Sequence, residues 1–299
     1  MKRILAVWLL LLAGIFFQPQ VVGAFGSGEQ NVVGAQDIPG SGAYQEAGAS
    51  ATFTNLTPSS TIHVQGTIVQ LLAAASNTAV TNSMLVNIFY TSLQATSFSS
   101  GMLINIYTGE SGSEVCLICG LELQSTQQYG YDGWNFIIPI TVPASKKISA
   151  SVSANVANST DVVGIHTALY AGGFGAIGVD NISANTATGF GTAFTPGNGS
   201  KSSYVQLVAS AAHSYKGIFF KFDNQGVANT NYSYCAMDIE NGSTVIIPNY
   251  KMWQSGGNNW QQANSSYIPM NISAGTSISV RGQCADTMGA AGLALYGVY

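Results

Sequence analysis

The feature that most constrains the fold is an internal repeat. Five short blocks from the first half of the chain return in the same order in the second half: residues 69–73 as 205–209, 106–115 as 239–245, 138–142 as 268–272, 148–149 as 278–279 and 168–170 as 294–296. The offset between the copies falls steadily from 136 to 126 residues, as it does when loops shorten in one copy. Ordered self-similarity of this kind marks a duplicated structural unit.

Each copy consists of short segments rich in Ile, Val, Tyr and Phe, separated by turn residues. In residues 148–156, aliphatic residues alternate with Ser and Asn, a pattern that buries one face of a strand and exposes the other. Seven or eight antiparallel strands in about 100 residues are typical of a two-sheet sandwich. We therefore predict an all-β chain of two tandem antiparallel β-sandwich domains, jelly-roll-like, that arose by internal duplication.

The repeat also sets the expected domain boundaries. Residues 61–170 form the first β-sandwich repeat and residues 202–299 the second. Residues 171–201, rich in Gly, Asn, Ser and Thr, are predicted to be a linker or a long surface excursion. Residues 25–60 show no counterpart in the second copy and are interpreted as an N-terminal arm with one plausible strand at 51–54. This arm is either flexible or completes the sheet of a neighbouring subunit.

The first 24 residues have the pattern of a secretory signal peptide. Lys2 and Arg3 precede an apolar run of about 14 residues, too short to span a bilayer, and small or aliphatic residues stand at a cleavage site before Phe25. An uncleaved N-terminal anchor is the alternative. We predict a secreted, extracellular or cell-surface protein.

Charge is scarce in this chain. Charged residues make up 7% of the sequence, against about a quarter in an ordinary domain. Without residues 1–24, 7 basic residues face 13 acidic ones, so no basic surface for nucleic acid is expected. Charge repulsion keeps proteins monomeric and lysines protect sheet edges, so a lysine-poor surface favours self-assembly. A monomer stabilised by glycans would have a similar composition.

Residues able to carry catalysis do not form a recognisable constellation. The three histidines, His63, His166 and His213, are not accompanied by a nucleophile motif. Asp238 and Glu240 share one face of a predicted strand, which makes them candidates for a carboxylate pair or part of a cation site; solvated side chains are the alternative. Residues 223–226 resemble the start of a calcium loop without its remaining ligands, and a hairpin turn explains them better. We therefore expect no enzymatic activity, no cofactor and no metal.

The four cysteines suggest one bridge. Exported proteins favour disulfides, and a bond between Cys235 and Cys284 is predicted to join two strands. Cys116 and Cys119 have a redox-like or zinc-like spacing. In a regular strand, however, residues three apart face opposite sides, so we expect these two to be free buried thiols.

Two loops, one in each copy, combine aromatic rings with Asn, Gln and Gly. This mixture suits the binding of sugars or protein partners, but the same aromatics could plug the open end of each sandwich. The candidate ligand-binding residues are Tyr129, Tyr131, Trp134, Trp253, Trp260 and Tyr267.

The segments at residues 104–115 and 237–249 resemble a module of tailed-bacteriophage virion proteins, in which a strand leads through Gly-Ser-Glu to a Val-Ile-Ile-Pro-Asn strand. This resemblance implies a tail, fibre or decoration protein that is structural or binds a host surface, without catalytic residues. A signal peptide is a departure from that family, whose members assemble in the cytoplasm.

Together these features predict a non-enzymatic structural subunit of a surface or virion assembly, such as an appendage, filament or decoration protein. Self-assembly through strand exchange by the N-terminal arm is the expected partnership. The alternative is a secreted carbohydrate-binding adhesin that uses the aromatic loops to bind glycans on a host surface.

Overall fold

The computed structural model describes residues 45–47, 53–92, 100–125, 133–155, 161–183, 191–224, 233–255, 259–260 and 264–299. Within these ranges the chain is all-β, with twenty strands, a single 3-10 turn at Ala74–Ser76 and no α-helix. No helix in the described ranges has the length and apolar character needed to cross a membrane. The expected signal peptide, residues 1–24, lies outside them.

We divide the strands into two sets in chain order. The first set contains β1 (Gln45–Ala47), β2 (Thr54–Leu56), β3 (Val69–Leu72), β4 (Ser83–Ser92), β5 (Ser100–Thr108), β6 (Val115–Ser125), β7 (Gly133–Ile138), β8 (Ile148–Ala154) and β9 (Val162–Tyr170). The second set contains β10 (Val179–Asn181), β11 (Thr192–Phe194), β12 (Gly197–Asn198), β13 (Val205–Val208), β14 (Tyr215–Asn224), β15 (Ser233–Asn241), β16 (Thr244–Ser255), β17 (Asn259–Trp260), β18 (Ile268–Ile272), β19 (Ile278–Cys284) and β20 (Ala291–Val298).

The strand pairings of the first set recur in the second. In the first set, β5 pairs with β6 and β8, β3 pairs with β8, and β4 pairs with β7 and β9. In the second set, β15 pairs with β16 and β19, β13 pairs with β19, and β14 pairs with β18 and β20. All ten pairings are antiparallel and follow the same order along the chain. Internal duplication produces such a recurrence.

The match extends to single hydrogen bonds. The backbone N–H of His63 donates to Ala154, at the end of β8, and that of Gly199 donates to Cys284, at the end of β19. Both donors have positive φ, 64° at His63 and 65° at Gly199. Left-handed backbone is costly for a residue with a side chain, so its retention at His63 indicates that the loop conformation has been kept in both copies.

The segments expected to be an arm and a linker each supply two short strands to the last long strand of a set. Strands β1 and β2 pair with the outer edge of β9, and β10 and β11 pair in the same order with β20. The second strand of each pair runs into a Thr-Pro dipeptide, after Leu56 and after Phe194. For the described part of the arm, residues 45–47 and 53–60, the prediction of no counterpart is therefore wrong. Besides this dipeptide, the two segments share only the threonine that begins β2 and β11, Thr54 and Thr192, which is too little for sequence comparison to detect.

The strands form three sheets, whose hydrogen-bonded orders are β1-β9-β4-β7 with β2 beside β9, β18-β14-β20-β10-β6-β5-β8-β3 with β11 beside β20, and β12-β19-β15-β16-β17 with β13 beside β19. Strand β10 joins the two sets, because it pairs antiparallel with β20 and parallel with β6. Residues 179–181 of the segment expected to be a linker thus lie inside a continuous sheet.

Strands β14 and β20 are buried on both faces. In β14, Ile218, Phe220 and Phe222 pack in the core of the second set, whereas Phe219 packs in the core of the first. Strand β20 divides its side chains between the two cores in the same way. Burial on both faces makes these strands nearly continuous apolar runs. Strand β8 is also buried along its whole length, with Ser149, Ser151 and Ser153 on its second face, so the expectation that this serine face is exposed is wrong.

Both cysteine pairs form disulfides. Cys235 and Cys284 lie opposite each other on β15 and β19 and are bonded, as the sequence predicts. Cys116 and Cys119 are also bonded, so the expectation of free thiols is wrong. The register of β5 with β6 shifts twice near these residues. Each β-bulge adds a residue to β6 and breaks the alternation of faces, which brings the two Cα atoms within 5.9 Å.

The two bridges are expected to differ in their effect on stability. They close loops with sequence separations of 49 and 3 residues, for which loop entropy gives about 4 and about 2 kcal/mol. Urea unfolding of Cys235→Ser/Cys284→Ser should show the larger loss, with Cys116→Ser/Cys119→Ser as the matched control. Non-reducing peptide mass spectrometry that finds all four thiols alkylatable before reduction would contradict both bridges.

Candidate functional site

The aromatic residues predicted to bind a ligand lie in different parts of the structure. Tyr129 and Tyr131 lie outside the described residues. The backbones of the three candidate tryptophans lie in strands: Trp134 opposite Ile88, Trp253 opposite Tyr234 and Trp260 opposite Gln254.

Tyr267 is the one candidate aromatic whose side chain is described, and it has a packing role. Its ring is half-buried, 5.5 Å from the ring of Phe174 and close against the backbone of Gly217. Its hydroxyl donates a hydrogen bond of 2.8 Å to the carbonyl of Lys216. Burial raises the pKa of Tyr267 well above its ordinary value. These contacts favour the interpretation that this residue plugs the protein rather than binding a ligand.

The junction between the strand sets has an aromatic centre. The rings of Phe219 and Tyr296 stack at 4.8 Å, and the ring of Phe136, from the first set, lies 5.0 Å from that of Phe219. All three side chains are almost completely buried. Aromatic pairs of this kind stabilise a core by about 0.5–1.5 kcal/mol beyond the area they bury. The outer face of β14 and β20 therefore completes the core of the first set.

Polar groups surround this aromatic centre. The hydroxyl of Tyr296 donates to the carbonyl of Gly120 at 3.0 Å and accepts from the N–H of Glu122 at 2.9 Å. The Glu122 carbonyl accepts from the fully buried Lys221 amine at 3.1 Å, and its carboxylate accepts from the N–H of Gly191 at 3.0 Å. Buried polar groups are costly without partners, so these bonds fix one orientation of the second set on the first.

A titratable cluster lies beside the junction. Asp180 Oδ2 is 2.6 Å from Nδ1 of His213 and accepts from the hydroxyl of Tyr215 at 3.0 Å. The ring of His213 stacks on that of Tyr299 at 3.9 Å. Burial, followed by the charge of Asp180, raises the pKa values of both tyrosines. The cleft next to Asp180 is also lined by Cys119, but this sulfur is held in a disulfide and offers no thiol.

A charged cluster occupies the outward face of the sheet formed by β12, β19, β15, β16 and β17. The carboxylate of Asp238, with 1% of its side chain exposed, accepts hydrogen bonds from Lys201 at 2.5 and 2.6 Å and from Arg281 at 3.0 Å. It also accepts from the N–H of Asn249 at 2.9 Å. The Arg281 guanidinium lies 4.4 Å above the ring of Tyr204. The hypothesis of a carboxylate pair or cation site at Asp238 and Glu240 therefore has little support, since Asp238 is engaged by two cations.

Two opposing effects set the pKa of Asp238. Burial raises it, but hydrogen bonds from Lys201, the Asn249 amide and Arg281 outweigh burial and hold the pKa below its ordinary value. The carboxylate is therefore ionised at neutral pH and locks the turn of backbone at Asn249, where φ is 50°.

The first strand set has a neutral version of this cluster. Asn105 occupies the position of Asp238, and its side-chain oxygen accepts from the N–H of Gly120 at 2.7 Å. Strands β6 and β16 carry the same pair of bulges at this point. Ser151 stands opposite Asn105 where Arg281 stands opposite Asp238. The backbone turn is shared by both sets, and the charges are specific to the second.

Sequence reasoning missed both the charged cluster and the junction. Lys201, Asp238 and Arg281 are isolated charges in the sequence, and only the strand pairing brings them together. The junction did leave a signal, the unbroken apolar run from Ile218 to Phe220, which indicates a strand buried on both faces.

No group of three His, Cys, Asp or Glu side chains within the described ranges is placed to hold a metal ion. No protein-family model matches this chain, and no curated protein is significantly similar to it.

The Asp238 cluster predicts a specific pH dependence. A carboxyl whose pKa is lowered by folding stabilises the protein above its unfolded pKa, about 3.9, and this contribution disappears as the pH falls through the folded pKa. The free energy of unfolding in urea should therefore fall more between neutral and acidic pH for the wild type than for Asp238→Asn. This variant keeps a side-chain oxygen acceptor of the kind seen at Asn105. Asp286→Asn, at an exposed carboxyl, is the control. Parallel pH profiles for wild type and Asp238→Asn would contradict the prediction.

Proposed function

We propose that this protein is an exported, non-enzymatic structural subunit of a surface or virion assembly, built from two tandem jelly-roll-like β-sandwich modules. The observation that carries the proposal is the junction, where the outer sheet face of the second set docks on the first through Phe219, Tyr296 and Lys221. The module thus has a face and an edge that bind each other, and such head-to-tail contacts generate rings or filaments when they recur between chains.

The corresponding face of the first set supports recurrence between chains. In β4, Met84, Val86 and Ile88 point into the core, which places Leu85 on the outer face, half-buried. Ile137 of β7 lies opposite Leu85 in the ladder and is also half-buried. This face is the counterpart of the β14 face that docks within the chain. We propose that a second chain packs on this face, because the corresponding face of β14 and β20 already packs on the first strand set within the chain.

The short strands β1 and β2 suggest how exchange would occur. Within the chain they pair with β9 through three residues each. The same pairing made by a neighbouring chain would link subunits by strand exchange, with all backbone bonds kept. The paucity of charge on the chain favours such contacts, because little repulsion opposes them.

Electron microscopy and light scattering of the purified mature protein test this proposal. Ordered filaments, rings or lattices are expected, and the double variant Leu85→Gln/Ile137→Gln should abolish them while remaining folded. Ile62→Gln, at an exposed aliphatic side chain elsewhere, is the control and should assemble normally. A wild-type protein that stays monomeric at every concentration would contradict the proposal.

A further inference from the structure

The outward face of the sheet β12-β19-β15-β16-β17 carries the most exposed large hydrophobic side chain in the described part of the chain. This is Tyr234, whose side chain is 78% exposed. Its neighbours along β15 explain this position, since Cys235, Met237 and Ile239 all point into the core. A single aromatic ring standing on a sheet surface offers one π-face to a ligand.

The ladder arranges the residues around Tyr234 in rows. Tyr234 stands opposite the backbone position of Trp253. In the next row Ala236 lies between Lys251 and Gln283, and in the third row Asp238 lies opposite Arg281. The small side chain of Ala236 thus separates the aromatic ring at one end of these rows from the guanidinium and ammonium groups at the other. Four residues of strand separate Tyr234 from Asp238, about 13 Å.

Cations are concentrated on this face. Only seven Lys and Arg residues follow Arg3 in the sequence, and three of them, Lys201, Lys251 and Arg281, lie here. The two that bind Asp238 still expose 28% and 29% of their side chains, and Lys251 is exposed. Glu240 lies beyond the third row and Asp286 beyond Tyr234, so the middle row itself carries the positive charge of Lys251 and no carboxylate.

The face is also rigid. The disulfide between Cys235 and Cys284 joins the two strands that carry Tyr234 and Gln283. The hydrogen bonds of the Asp238 carboxylate hold the side chains of Lys201 and Arg281 in place. Binding sites gain affinity when their groups are held in place before the ligand arrives.

We propose that this face binds an anionic oligosaccharide, one that carries carboxylate or sulfate groups. The C–H face of a sugar ring stacks on Tyr234, Gln283 hydrogen-bonds hydroxyl groups, and Lys251 and Arg281 receive the anionic group. The first strand set lacks these groups. Gly101 occupies the position that corresponds to Tyr234, and Leu103 and Glu122 occupy those of Ala236 and Lys251. One site per chain is therefore expected.

Isothermal titration of the mature protein tests the proposal with a heparin-derived hexasaccharide, hexagalacturonate and, as the neutral probe, maltohexaose. At least one anionic probe should bind with a stoichiometry of one, more weakly as salt is added, and maltohexaose should not. Tyr234→Ala and Lys251→Gln should each weaken binding by about tenfold. Phe174→Ala and Lys146→Gln are the matched controls and should leave it unchanged.

Three results would overturn the proposal: equal binding of the neutral probe, no binding of either anionic probe, or affinity unaltered by Tyr234→Ala. Loss of self-association in the Tyr234 variant would show instead that a second copy of the chain occupies this face. The inference does not depend on assembly through Leu85 and Ile137. Glycan binding by the Leu85→Gln/Ile137→Gln variant would separate the two outcomes.

Discussion

The stacked pair of Phe219 and Tyr296 is the contact on which the rest of the structure depends. Both rings belong to the second strand set, yet both lie in the core of the first. The hydroxyl of Tyr296 donates to the Gly120 carbonyl and accepts from the Glu122 N–H, so this side chain also fixes the orientation of β20 relative to β6. Apolar burial supplies most of the stabilisation, and the buried polar bonds select a single geometry. The two cores therefore lie on opposite faces of the same two strands, β14 and β20.

The two strand sets share a backbone and differ at the surface. The backbone features are retained in both sets, including the pair of bulges and the side-chain acceptor that caps them, Asn105 or Asp238. The surface has changed: neutral Ser151 corresponds to Arg281, and buried Glu122 to exposed Lys251. The first set presents its edge to the second set, while the same position in the second set is open to a ligand.

Much of the fold follows from the sequence, because the repeat and the two-residue alternation are local patterns. The repeated strands and the Cys235–Cys284 bridge belong to this class. The Cys116–Cys119 bridge does not, since two bulges override the alternation on which the expectation of free thiols rests. The pairing of β10 with β6 and the gathering of Lys201, Asp238 and Arg281 depend on contacts between residues far apart in sequence. No local pattern encodes such contacts.

Calorimetry tests the coupling of the two cores most directly. If strands β14 and β20 couple them, the mature protein should unfold in one transition, with calorimetric and van't Hoff enthalpies equal. Phe219→Ala should lower stability by about 3–5 kcal/mol and separate the transition into two, whereas Phe174→Ala, at a half-exposed ring, should change neither feature. Two independent transitions in the wild-type protein, each insensitive to Phe219, would contradict the account.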